Sequence, residues 1–276
     1  MPAPQKSMLS RLSKMNFIAK GINLPMNWAD MGAQFPDAFT EAERMAPPPS
    51  PMNLFREPTF NKYHVDSARR IGVMFEDYID GICGAICEAI GKWMKMASVA
   101  GLTINGPVGN ILPGGVIGPP LAPLIMAHAP REKKQNLKYS TAIANAIDVQ
   151  WQKWHMGLTG ALMYPSFAVF PGPMAPPMPN APIPLIALSS SGESGLSPGA
   201  LKNRMEENFG AFWAFHSSNL FDAIAKAFNS IFQIFKASTI LTNVLGTGPV
   251  PSFAPPASPV GPVVAGFSVP TPGVFK

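Results

Sequence analysis

Two regimes of hydrophobic and polar patterning alternate along the chain. In the first, apolar residues recur every three or four places with charges between them. Ile71, Phe75, Tyr78, Ile82, Ile86, Ile90, Trp93 and Ala97 follow this spacing and predict a helix from about Asp66 to Ala100. Glu76, Asp77, Asp80, Glu88 and Lys92 fall on its other side. Gly72, Gly81, Gly84 and Gly91 each lower helix propensity by roughly 1 kcal/mol relative to Ala, so this helix should be held by close packing. A second helix is predicted from Ser140, a plausible N-cap, through Ile143, Ile147, Trp151, Trp154 and Leu158. A third runs over about 198–242, with Ser197 as N-cap and Pro198 at the first helical position. Its phenylalanines crowd several faces, a pattern of helices buried in protein or lying in lipid. Weaker helical spacing occurs around Met8 to Lys20 and Asp37 to Arg44.

The second regime has no charge at all. Met96 to Pro130, Trp154 to Gly192 and Ala237 to Phe275 contain no Asp, Glu, Lys or Arg, and each follows directly on a lysine: Lys95, Lys153 or Lys236. Together they hold 22 of the 32 prolines, so most of the chain's rigid backbone lies in them. Gly106-Pro107, Pro113-Gly114-Gly115 and Gly118-Pro119-Pro120 force turns in the first tract. Proline every few residues removes the donors that a membrane-spanning helix needs. The expected fold is mainly α with long irregular Pro-rich ribbons, built as a threefold repeat of helix plus extended tract. Four segments follow: an arm over 1–62, broken by the polyproline-like run Pro47 to Pro51, then units over 63–130, 131–192 and 193–276, with a charged hinge from Arg131 to Lys138.

Composition sharpens this picture. Charged residues are 13% against 47% hydrophobic, too little polar surface to cover a free monomer comfortably, and the reverse of a disordered chain. That balance points to a subunit whose apolar surface is covered by protein partners. A net charge of +5 is scattered rather than gathered in a stripe, which argues against nucleic acid. The opening lacks the continuous apolar stretch of a signal peptide.

Candidate chemistry is thin. Cys83 and Cys87 stand four apart on the first predicted helix and read as small core residues, not as a disulfide. His64, His128, His155 and His216 show no paired ligand spacing, so no metal or other cofactor is expected. Neither a nucleophile frame around Ser189-Ser190-Ser191 nor a phosphate loop is present, and the chain does not read as an enzyme. Prolines at every second or third place make a ribbon stiff before it binds, so ordering it costs little entropy. The expected partner-binding residues are therefore Pro107, Pro119, Pro120, Phe170, Pro173, Pro176, Pro177, Pro179, Pro249, Pro251, Pro255 and Pro262. Trp93, Trp151, Trp154, Trp213 and Phe235 are expected to pack the helices together.

Phe170 to Leu185, with Pro171-Gly172-Pro173-Met174-Ala175-Pro176-Pro177-Met178-Pro179-Asn180, resembles the uncharged Pro/Gly signature of spike-sharpening proteins of phage-tail-like contractile injection particles, the Pro-Ala-Ala-Arg type. Thr247 to Pro251 and Pro259 to Val263 echo it, and the resemblance covers about a fifth of the chain. It implies a structural part of a large symmetric assembly: a spike tip, tube plug, cap or baseplate component, made in the cytoplasm and built into a particle. A membrane-active effector that inserts the Phe-rich third helix is the second reading.

Overall fold

The computed structural model describes residues 4–20, 59–210, 216–251 and 260–276. The expected helix at Asp37 to Arg44, the Pro47 to Pro51 run, Trp213 and Pro255 lie outside the described residues, as does the side chain of His64. Six α-helices occur among the described residues: α1 (Lys6–Ile18), α2 (Thr59–Met96), α3 (Leu121–Met126), α4 (Lys134–Met156), α5 (Pro198–Phe209) and α6 (Ser217–Ser238).

The predicted apolar stripe is the buried face of α2, with Tyr78, Ile82, Ile86, Ile90 and Trp93 all 5% exposed or less. Glycine lets neighbours approach this helix closely: a Cβ at Gly81 would fall 2.4 Å from the ring of Pro130. The N-terminal segment joins the core rather than trailing away. Leu9 and Phe17 of α1 are buried. Asp80 on α2 receives hydrogen bonds from Ser10 and from Lys14, whose Nζ stands 2.7 Å away. Burial works against the charge of Asp80, but Lys14 and Ser10 outweigh it and hold its carboxyl below the ordinary range.

Helix boundaries differ from expectation, and the first helix runs over Thr59–Met96 rather than from about Asp66 to Ala100. The second helix starts at Lys134, not Ser140, so most of the charged hinge is helical. Ser140 is buried inside it and donates from Oγ to the Pro130 carbonyl at 2.7 Å, an anchor between elements in place of a cap. The third helix is two helices. Gly210 takes a left-handed conformation (φ 62°) that ends α5, and His216 another (φ 66°) that precedes α6.

The larger correction concerns the ribbons. With 53% helix and 21% strand among the described residues, and several antiparallel sheets, the fold is not clearly mainly α with irregular tracts. Thirteen short strands are described: β1 (Ser98–Val99), β2 (Leu102–Asn105), β3 (Val108–Ile111), β4 (Val116–Ile117), β5 (Leu158–Met163), β6 (Phe170–Pro171), β7 (Met174–Pro179), β8 (Ile183–Pro184), β9 (Ser189–Ser190), β10 (Ile240–Leu241), β11 (Leu245–Pro249), β12 (Val260–Gly261) and β13 (Phe267–Val269). The longest sheets run β2-β3-β5-β9 and β13-β11-β7, and β6 pairs with β12, β8 with β10, β1 with β4. Tracts two and three therefore pair with each other three times over, whereas tract one folds back on itself as the β2–β3 hairpin before joining β5. The three tracts are not copies of one unit. Short Val-, Ile- and Thr-containing runs between Pro and Gly suit strands that need only a few ladder bonds each. Reciprocal backbone bonds between Ile104 and Gly266, 2.8 and 2.9 Å, join the two main sheets.

Candidate functional site

Three helices, α2, α4 and α6, bring their C-terminal ends together, and each then releases a charge-free tract. Aromatic rings fasten the junction. Trp93 meets Trp151 edge-on at 5.2 Å, Trp151 and Trp154 lie 4.7 Å apart, and Phe235 stands 5.6 and 6.1 Å from those two rings. Trp93, Trp151 and Trp154 are at most 1% exposed. Of the expected helix-packing set, Trp93, Trp151, Trp154 and Phe235 thus form one cluster. Phe275 returns from the end of the third tract to close it, 5.1 Å from Trp93. His155 joins at its edge, with Nδ1 3.1 Å from the Val116 carbonyl; burial pushes its pKa below the ordinary 6.5.

From this junction the strands run to a common end, where the tracts mesh through backbone bonds. The Pro107 carbonyl accepts from Tyr164 N–H at 2.7 Å, the Pro173 carbonyl from Val250 at 3.0 Å, and the Pro249 carbonyl from Val264 at 3.0 Å. Val263 bridges two tracts, donating to Phe167 and accepting from Gly106. Proline carbonyls remain full acceptors although proline N–H groups are missing, which explains how so proline-rich an end stays paired.

Two polar side chains lock the mesh. Asn180, 4% exposed, accepts from Val244 N–H at 2.9 Å and donates to the Leu241 and Ala181 carbonyls at 3.2 and 2.7 Å. Tyr164 donates its hydroxyl to the Val244 carbonyl at 3.0 Å. Its ring lies so close to the backbone that a Cβ at Gly109 or Gly246 would come within 2.8 Å of it. Sequence reasoning passed over both residues. Their signal was present, since each places a hydrogen-bonding side chain in a stretch with no charge.

The outer face of this end carries Pro173, Pro176, Pro177, Pro179, Pro249, Pro251 and Pro262, all exposed, with Pro107 and Phe170 half-buried. Val169 (66% exposed), Met174 (54%) and Val260 (54%) stand among them, and none of these residues carries a charge. Pro119 and Pro120 lie elsewhere, leading into α3 beside the helices. The chain thus presents an apolar, conformationally stiff and uncharged end.

Elsewhere chemistry remains sparse. Cys83 and Cys87 are buried free thiols, and burial pushes both up to about 12. His128 sits on the surface with Lys92 and Glu88, at 2.8 and 3.1 Å. Among the described residues no three His, Cys, Asp or Glu side chains gather where a metal ion could be held. A cavity of about 600 Å³ opens between α2, α4 and α6, floored by Phe75, Tyr78, Tyr139 and Leu220 and rimmed by Asp77, Glu132 and Lys133. No helix among the described residues is long and apolar enough to cross a membrane. No protein-family model, curated protein or solved structure matches the chain.

Proposed function

We propose that the protein is a non-enzymatic structural component of a large assembly, and that its charge-free end is where it docks on neighbouring subunits. The observation that carries this reading is the meeting of three tracts, themselves without Asp, Glu, Lys or Arg, in one exposed set of proline and aliphatic side chains. Such a surface can be buried against protein without stripping water from charges. Its backbone is already paired and stiffened, so docking costs little further ordering.

The more specific setting is a phage-tail-like contractile injection particle, at a spike tip, tube plug, cap or baseplate. The described residues that resemble spike-sharpening proteins, in 170–185, 247–251 and 260–263, lie together at or near this same end. Insertion of the Phe-rich segment into a bilayer is the less favoured reading. Phe221, Phe228, Phe232 and Phe235 are all at most 3% exposed, and unpacking them would dismantle the helical core.

Purification of the tagged full chain from its source cells, followed by electron microscopy of what accompanies it, tests the proposal. Tubes or tail-like particles should copurify with the native chain. They should be lost with the double substitution Val169→Asp and Met174→Asp, which puts charge on the docking face without touching the core. Isolation of the native protein alone, or in vesicles, would sink the assembly reading.

A further inference from the structure

Burial along β7 does not follow the rhythm of a flat strand. Alternation would place Pro173, Ala175, Pro177 and Pro179 on one face, yet Ala175 is fully buried while the three prolines are exposed. The inward positions instead recur every third residue: Gly172 and Met178 are half-buried on either side of Ala175. Pro173, Pro176 and Pro179 share the next line, and all three are exposed. Three residues per turn is the period of the polyproline II helix, the conformation that proline prefers.

Pairing with β11 accommodates that twist. Gly246 stands opposite Met178 and Gly248 opposite Ala175, so Thr247 alone faces both Pro176 and Pro177. The Thr247 hydroxyl donates to the Ala175 carbonyl at 2.6 Å and pins the inward line. On its other side β7 is the edge of its sheet. With no N–H at positions 173, 176, 177 and 179, that edge is a poor template for a further strand. A partner must therefore engage its side chains rather than its ladder.

We propose that Pro173, Pro176 and Pro179 form a polyproline ridge that seats in an aromatic-lined groove of a partner protein. The inference rests on the docking reading above and names the chemistry of its partner. Proline rings spaced along a polyproline II line stack on flat aromatic faces, and the pre-ordered backbone keeps the entropy cost low. No charge occurs from Trp154 to Gly192, so the groove needs no acid or base to match. Exposed Met174 and Pro177 flank the ridge and widen its apolar contact.

The test captures partners of the full chain from source-cell extract and challenges the complex with soluble poly-L-proline. Elution by poly-L-proline, together with about tenfold weaker capture by Pro176→Ala/Pro179→Ala and unchanged capture by Pro272→Ala, is the expected result. Melting curves of the variants check that they fold; the competition needs no variant. A partner that resists poly-L-proline and both variants would overturn the ridge and leave the docking surface standing. Capture of nothing would overturn both.

Discussion

The aromatic junction and the charge-free end are built from similar residues and behave in opposite ways. At the junction, Trp93, Trp151, Trp154 and Phe235 are large, almost wholly buried and in ring contact across three helices. At the end, Val169, Met174, Val260 and most of the prolines are exposed, and the segment is held by its backbone. Hydrophobic composition alone therefore does not say whether a stretch is core or contact surface. What separates the two is periodicity. A helical stripe converges its side chains on one line, whereas a proline-interrupted ribbon spends its polar backbone on pairing and leaves many side chains outside.

Paired substitutions break this comparison most directly. Trp154→Ala should cost about 3–5 kcal/mol of stability through lost burial and a cavity. Met174→Asp should stay within about 0.5 kcal/mol while abolishing copurification. Denaturant melts of both variants, beside pull-downs, read the two axes separately. If Met174→Asp proved as destabilising as the tryptophan change, the end would be core and not a docking face. Next in size is Gly246→Ala. Its new methyl would meet both the Tyr164 ring and Ile104 Cδ1, the latter at 2.5 Å, and overpacking of this kind costs about 1–3 kcal/mol. Tyr164→Phe is gentler. It keeps the ring and removes one of two donors to the Val244 carbonyl, which also accepts from Asn180 N–H at 3.2 Å, for an expected loss near 1 kcal/mol. A Tyr164→Phe variant as stable as the native chain would mean that the Asn180 N–H alone satisfies the carbonyl.

Much of the helical half was legible in the sequence. The α2 stripe, the tryptophans of α4 and the start at Pro198 all follow from spacing and capping chemistry. The break between α5 and α6 was legible only in part. Gly210 is a C-terminal signal, but the apolar run beyond it masks the interruption. The ribbons were misjudged because their pairing is between tracts: Leu245 meets Pro179, and Ile104 meets Gly266, with nothing local to announce either. A proline-rich segment reads as unpaired when its own donors are counted. Its carbonyls still accept, and the third tract supplied the donors. The prolines of the charge-free end were legible, yet the exposed aliphatic residues between them, Val169 and Met174 above all, were overlooked because no periodicity marked them.

The smallest effect expected concerns His155, at the edge of the aromatic junction. Its Nδ1 bonds to the Val116 carbonyl, so Nδ1 carries the hydrogen and the neutral ring suits the site. Burial, the leading influence, disfavours the charged ring, while Val116 and the more distant Asp148 oppose it without prevailing. The folded protein thus binds its proton at lower pH than the unfolded chain does. Stability from this group is fully present above the ordinary 6.5 and is lost progressively as pH falls below it toward the depressed folded value. Denaturant melts of the native chain and His155→Phe at a series of pH values isolate the contribution, because other titrating groups are common to both. The native chain should lose more stability than the variant as the solution is acidified. Parallel curves would show that the imidazole charges without penalty, and that the junction is wetter than its packing implies.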